Sequence, residues 1–283
     1  MGETTPKLTS PTAVRDLLSS RGIRLRSELG QHFLVDENIL GKIVDLTEAQ
    51  GDEAAVEVGA GVGTLTVALA PRVRTLAAVE VDPRLIPLLR EQVASFPNVT
   101  VVCADFRALT LQDFGERLLV VGNLPYGITS AVLLKLVRER EVMDRAVFMV
   151  QREVAEKLVA PPGPEVTRLG VHLRAYYEVE VLRKVPRTVF FPAPEVDSDL
   201  IRLRRLPTPR VTAPEEALEW TLAVLFSARR KTLRRALLGR LPAAEVDRLL
   251  AELGLDPQVR GEALPLGAMD RLAQALDRAG LVG

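Results

Sequence analysis

The sequence predicts an α/β fold, a mostly parallel sheet flanked by helices, followed by a small all-helical C-terminal domain. Three observations carry this. Four apolar runs, at residues 54–58, 75–79, 99–104 and 118–122, alternate with segments of helical spacing. A glycine cluster, Gly59-Ala60-Gly61-Val62-Gly63, follows the first run and leads into a helical pattern, the strand-turn-helix order of a nucleotide-binding sheet. From Pro214 onward Leu and Ala recur at helical spacing with no strand pattern.

The elements follow in order. The first 11 residues are polar and hold no apolar core, so no signal peptide is expected. Residues 12–20 form a short helix. Asp36-Glu37-Asn38 cap a second helix with Ile39, Leu40, Ile43, Val44 and Leu46 on one side. Residues 54–150 alternate strands and helices, the last pair being a helix at 130–139 and a strand at 145–150. A helix over 151–160 stops at Pro161-Pro162-Gly163-Pro164. Residues 176–185 and 199–206 are two further strands, expected as an antiparallel edge pair. Pro207-Thr208-Pro209 is the linker, dividing a domain of residues 1–206 from one of residues 207–283. Trp220 is expected in the core of the second.

Composition excludes several classes. Apolar residues make up 47% of the 283, too many for wholesale disorder. The single cysteine, Cys103, lies inside a predicted strand and has no internal disulfide partner; it is expected as core filler in a cytoplasmic protein. Two histidines and one cysteine give no metal-site spacing, and no apolar run reaches a membrane span. The formal net charge is zero and does not select nucleic acid. The distribution is more informative: residues 183–240 hold thirteen basic and six acidic residues, and Arg21, Arg24 and Arg26 precede the glycine cluster. Arginine outnumbers lysine by 31 to 6 throughout, which weakens an inference from arginine content alone.

Each strand ends on chemistry. Glu57 sits in the first strand, Glu80 ends the second, Asp105 follows the third and Asn123 follows the fourth. Open α/β sheets bind ligands at these carboxyl ends. The glycines run G-x-G-x-G, which departs from the G-x-G-x-x-G of dinucleotide sites. Three acids would repel a pyrophosphate, whereas an adenosine cofactor with a cationic sulfur suits them, so S-adenosylmethionine is favoured over NAD. Glu80 stands where a carboxylate accepts from both ribose hydroxyls. Asn123-Leu124-Pro125-Tyr126 then joins an amide, a proline-stiffened turn and a π face in four residues. That combination suits an amino group on a flat base; an ordinary Asn-x-Pro turn is the bland alternative.

Seven segments together carry a resemblance: Gly30-Gln31-His32-Phe33-Leu34, residues 57–63, Glu80-Val81-Asp82, Asn123-Leu124-Pro125-Tyr126, residues 151–155, residues 190–198 and residues 229–233. In this order they resemble the rRNA adenine N6-dimethyltransferase family, in its bacterial small-subunit (16S) branch. Three positions depart from the pattern. Ala60 replaces a usual proline, Val166-Thr167 a frequent Tyr-Gly, and Arg235 a common asparagine. The resemblance implies a Rossmann-like class I S-adenosylmethionine-dependent methyltransferase sheet. It implies methyl transfer to N6 of two adjacent adenosines near the 3′ end of 16S rRNA during small-subunit assembly, with S-adenosylhomocysteine as product and no metal. Asn123, Leu124, Tyr126 and Phe190 would hold the acceptor adenine, Phe191 assisting. His32, Leu34, Gly59, Gly61, Glu80, Asp105 and Asn123 would hold the cofactor. Arg229, Arg230 and Lys231 would contact RNA phosphates, and a monomer is expected. Two alternatives keep the fold: a large-subunit rRNA adenine methyltransferase, and a non-catalytic rRNA-binding assembly factor. An NAD-dependent oxidoreductase is more distant.

Overall fold

The computed structural model describes residues 8–26, 30–227 and 231–282. Each element starts where local chemistry starts it. Helix α1 (Pro11–Ser20) has proline at its first position, and the Ser10 side chain accepts from Ala13 N at 3.1 Å. A two-residue strand, β1 (Phe33–Leu34), precedes α2 (Glu37–Leu46), which Asp36 caps by accepting from Ile39 N at 2.8 Å. Leu40, Ile43 and Val44 are its buried face.

The alternating part follows: β2 (Ala54–Val58), α3 (Thr64–Leu69), β3 (Thr75–Glu80), α4 (Ile86–Gln92), β4 (Val99–Cys103), β5 (Leu118–Asn123), α5 (Thr129–Arg138) and β6 (Met143–Gln151). Then come α6 (Arg152–Val159), α7 (Arg168–Tyr176), β7 (Tyr177–Val185), β8 (Phe190–Phe191) and β9 (Ser198–Arg205). Seven strands form one sheet in the order β4-β3-β2-β5-β6-β9-β7. The pairs β2–β3, β3–β4, β2–β5 and β5–β6 are parallel, and β9 runs antiparallel to β6. The predicted pair of late strands therefore closes one end of the sheet, with only β7 at the edge. β1 and β8 make a separate antiparallel pair, Phe33 opposite Phe191 and Leu34 opposite Phe190.

The chain order reverses at β2, which has β3 on one side and β5 on the other. Register brings the strand ends level: Val58 faces Val79 across one pairing and Gly122 across the other. Gly122 is required there, because a Cβ would lie 2.4 Å from the Val58 carbonyl oxygen. Level strand ends at a switch point make a crevice.

The sheet is anchored at its opposite end by a buried ion pair. Arg145 at the start of β6 is 4% exposed, and its Nη1 and Nη2 bond both Glu53 carboxylate oxygens at 2.9 and 2.7 Å. The same guanidinium donates to the carbonyls of Thr47 and Glu48 after α2.

The chain divides into two compact units. One comprises residues 1–155 with 180–205, the other residues 156–179 with 206–283. The second contains α7 and the helices α8 (Glu215–Ser227), α9 (Leu233–Leu237), α10 (Ala243–Leu253) and α11 (Leu266–Arg278). α8 and α11 pack together, and Asp270 of α11 accepts from the amides of Thr212 and Ala213 ahead of α8. Two expectations are corrected. Trp220 is half-buried, since the core of α8 is made by smaller residues such as Leu218, Leu222 and Leu225. Cys103 is exposed, because it ends β4 at the open edge of the sheet, where no neighbouring strand covers it.

Candidate functional site

The glycine turn is built against the end of β3. Gly59 N and Ala60 N both donate to the Val79 carbonyl, at 2.9 and 3.0 Å. Gly61 has φ +59°, and a Cβ on it would lie 2.8 Å from Phe33 Cε1. Only glycine leaves this cradle open. The Gly61 amide donates to Glu80 Oε2 at 2.7 Å, and the Asp82 amide donates to Glu80 Oε1 at 2.8 Å. Burial pushes the Glu80 carboxyl above its usual range, while these amides favour its charged form. Each oxygen keeps lone pairs for a further donor, as a ribose diol requires.

Glu57 lies below the turn and is 2% exposed. Burial pushes its carboxyl up to about 8, so it is largely neutral at pH 7. Its Oε2 has no hydrogen-bond partner.

The segment before β1 is fastened across the crevice. Gln31 Nε2 donates to Asp82 Oδ2 at 2.9 Å, and Gln31 Oε1 accepts from Arg26 N at 2.9 Å. Arg84 forks onto Asp82 at 2.8 and 2.5 Å and reaches the Arg24 carbonyl at 2.9 Å. The Arg84 guanidinium holds the Asp82 carboxyl down at about 2. These bonds explain why Gln31 and Asp82 belong to the motifs; nothing in their spacing showed that they meet.

The acceptor residues lie across from the turn. Asn123 Nδ2 donates to the His32 carbonyl at 2.7 Å, which turns Oδ1 the other way. Leu124 N donates to the Met149 carbonyl at 3.1 Å. The Tyr126 ring stacks on the His32 ring, centroids 5.7 Å apart and planes 29° apart. Burial raises the Tyr126 hydroxyl, with a bond to Ser198 acting the other way. His32 Nδ1 is 2.8 Å from the Pro192 carbonyl. The loop carrying Pro192 is itself held by Asp197, which takes Arg187 N at 2.9 Å and Arg152 Nη2 at 3.1 Å.

One cavity joins His32, Gly59, Gly61, Glu80, Asp105 and Asn123. A smaller one adjoins it, lined by Leu34 and Glu57 as well as His32, Gly61 and Asn123. The larger also includes Val81 and Phe106, to which sequence reasoning gave no role. Val81 is 48% exposed although hydrophobic, an apolar surface for a flat ring. The only signal for it was its place next to Glu80.

Three expected roles meet structural facts. Phe190 is 4% exposed and packs in the core with Leu34, Val185, Val189 and Leu200, so its ring has no free face for a base. Phe191, half-buried, is the more open ring. Asp105 is engaged by Arg107, whose Nε and Nη2 bond its oxygens at 3.0 and 2.6 Å, so a ligand amino group would share the carboxylate with a guanidinium. That guanidinium holds the Asp105 carboxyl below the usual range. Arg229 and Arg230 lie outside the described residues; Lys231 is exposed, in the second unit.

The donor set fits an adenosine cofactor without phosphate. It offers a buried carboxylate, a glycine cradle that a Cβ would fill, and the apolar Val81 and Phe106. Among the described residues no cluster of His, Cys, Asp or Glu is suited to a metal ion, and no helix is long and apolar enough to cross a membrane.

Comparison with known proteins agrees with this geometry. The family model described as ribosomal RNA adenine dimethylase matches residues 22–278. A Bacillus mycoides (strain KBAB4) protein named ribosomal RNA small subunit methyltransferase A is 38% identical, over 95% of this chain and 97% of its own. The crystal structure of the 23S rRNA methyltransferase ErmE superposes with a TM-score of 0.68 at 32% identity, covering 87% of this chain and 99% of that one. A dimethyladenosine transferase from Plasmodium falciparum shares the fold, with a TM-score of 0.78 at 24% identity over 88% of this chain and 98% of that one.

Proposed function

The chain belongs to the ribosomal RNA adenine dimethylase family, and from that premise we propose that it dimethylates N6 of two adjacent adenosines near the 3′ end of 16S rRNA. The assembling small subunit is the substrate and the cytoplasm the setting, and the enzyme acts as a monomer. The methyl donor is S-adenosylmethionine, and S-adenosylhomocysteine is the product. The observation that carries this reading is the single cavity joining Glu80 and the glycine turn to Asn123.

When bound, the cofactor supplies an already activated sulfonium methyl, so the protein need not supply a nucleophile. Glu80 would take the ribose diol and Asp105 the adenine amino group beside Arg107, with the exposed Val81 offering that ring an apolar surface. Gly59 and Gly61 let the backbone approach, while His32 and Leu34 close the methionine end. The acceptor's difficulty is its N6 lone pair, which is delocalised into the purine. Asn123 Oδ1 and the Leu124 carbonyl accept from the N6 amino group, hold it in line and favour a tetrahedral nitrogen. Tyr126 stacks on the base after it leaves the RNA stack. The proton leaves N6 after transfer, so no strong base is required. The C-terminal helical unit docks on rRNA through Lys231, with Arg229 and Arg230, and selects which adenosines reach the pocket.

The test is transfer of labelled methyl from S-adenosylmethionine to small subunits lacking the modification, with nucleosides identified by mass spectrometry. N6,N6-dimethyladenosine at adjacent 16S positions supports the proposal. Modification of large-subunit rRNA instead would redirect the substrate. Binding of cofactor and subunit without transfer would leave an assembly factor and remove the roles given to Asn123 and Tyr126.

A further inference from the structure

Beyond Tyr126 and His32 the α/β unit carries a ring and a guanidinium, Phe191 and Arg15, to which the proposed function gives no role. Tyr126 stacks on His32, and His32 meets the carbonyl of Pro192. Beside Pro192 is the half-buried ring of Phe191, paired across the short sheet with Phe33. Over that ring lies Arg15 of α1, its guanidinium carbon 5.1 Å from the centroid. The placement is fixed from below, because Val14 and Leu18 of α1 are buried in the cluster that holds Phe33 and Leu85.

Arg15 is exposed. Among the described residues it has no carboxylate partner, as is also true of Arg24, Arg74 and Arg90, but it is the arginine of these that rests on an aromatic ring. Arg21, Arg84, Arg107, Arg145 and Arg152 of the same unit each have a carboxylate partner. An unpaired guanidinium resting on an aromatic ring is planar, charged and weakly hydrated. Nucleic-acid bases stack on such planes when splayed from their own stack.

We propose that Arg15, backed by Phe191, is a second base-holding position, which stacks the nucleotide next to the adenosine held at Asn123. This rests on the reading of the site as an RNA adenine pocket. Extruding one adenosine unstacks its neighbour. A platform separated from Tyr126 only by His32 and Pro192 offers that neighbour a replacement surface. It orders the acceptor strand without touching the reacting atoms, which makes Arg15 a positioning residue.

The experiment measures affinity for small subunits lacking the modification, together with KM, kcat and cofactor affinity. The proteins are wild type, Arg15→Ala, Arg15→Lys and Phe191→Leu, the last keeping apolar packing without the ring. Arg15→Ala is expected to weaken subunit binding and raise KM roughly tenfold, the size of one lost stacked base, with kcat and cofactor affinity unchanged. Arg15→Lys keeps the charge but not the plane and should resemble Ala, and Phe191→Leu should weaken binding in the same way. Wild-type affinity in Arg15→Ala overturns the proposal. So does full rescue by lysine, which would reduce Arg15 to a phosphate contact. A wild-type enzyme that transfers no methyl refutes the underlying reading instead, and the affinity series still decides the role of Arg15.

Discussion

At the scale of single residues, the site depends on groups whose second bond fixes the first. Asn123 holds the His32 carbonyl with its Nδ2, so its oxygen is oriented before any acceptor arrives. Asn123→Ala removes an oriented acceptor of the kind worth about 10²–10³ in kcat. Single-turnover transfer should fall by that order while subunit affinity holds; undiminished turnover would refute the assigned role. Gly61 is held more tightly still. Alanine there combines φ +59° with a Cβ 2.8 Å from Phe33 Cε1, a strain on the order of 1–3 kcal/mol. Relief moves the amide off Glu80, so Gly61→Ala should weaken cofactor binding at least tenfold in a calorimetric titration, with the circular dichroism spectrum unchanged. Residue types at strand ends made Glu80 and Asn123 legible in the sequence. The state of Phe190 was not legible, because a Phe-Phe pair in a short strand places one ring inward and one outward, and only the pairing with β1 decides which. Nor was the Arg107 fork on Asp105, a local contact between two exposed side chains.

At the scale of elements, the strands were readable because each apolar run stops at a functional group, and β2, β3 and β5 end where those groups fall. Helix α7 lies outside the elements that spacing predicted. α7 carries Gly170, which reads as a helix breaker. Its real function is close packing, since a Cβ there would lie 2.8 Å from the Lys157 carbonyl oxygen of α6. Strand β2 carries its own liability in Glu57. A folded-state value of about 8, against the ordinary glutamate value of 4.5, means that the unfolded chain loses this proton first. Stability is therefore lost as pH rises between those two values, and is not lost further above them. Glu57→Gln should flatten that slope in urea denaturation and gain most at pH 8; an unchanged slope would mean that the carboxyl is ionised in the fold. Strand β6 makes the opposite case. Arg145 is charged, 4% exposed and bidentate on Glu53. Removing Glu53 leaves the buried guanidinium with Asp144 at 3.2 Å as its remaining carboxylate, so Glu53→Ala should cost about 3 kcal/mol of stability, the low end for a broken buried pair, read as a lower urea midpoint with catalysis per folded molecule intact.

At the scale of the whole molecule, local charge counts and spatial charge part company. The excess of basic residues between positions 183 and 240 suggests a stripe for phosphates. In the fold, acids from outside that window neutralise much of it. Arg202 binds Glu48 and Glu180, Arg204 binds Glu48, Arg210 binds Glu178 and Arg234 binds Asp247. A sequence window sees only its own acids, whereas β9 meets carboxylates far off in the chain, so the stripe was over-read. Lys231 and Arg235 are different, exposed and joined to no carboxylate among the described residues. The two groups should respond oppositely to substitution. Arg202→Ala breaks hydrogen-bonded charge pairs and should lower stability by roughly 1–3 kcal/mol, with subunit affinity unchanged. Lys231→Glu should leave the urea midpoint in place and weaken subunit binding several-fold. It should also reduce the slope of log affinity against log salt by about one, as the loss of one phosphate contact does. If Arg202→Ala changes the salt slope and Lys231→Glu does not, the RNA-facing surface lies on β9 and not on the helical unit. The docking role given to that unit would then move with it.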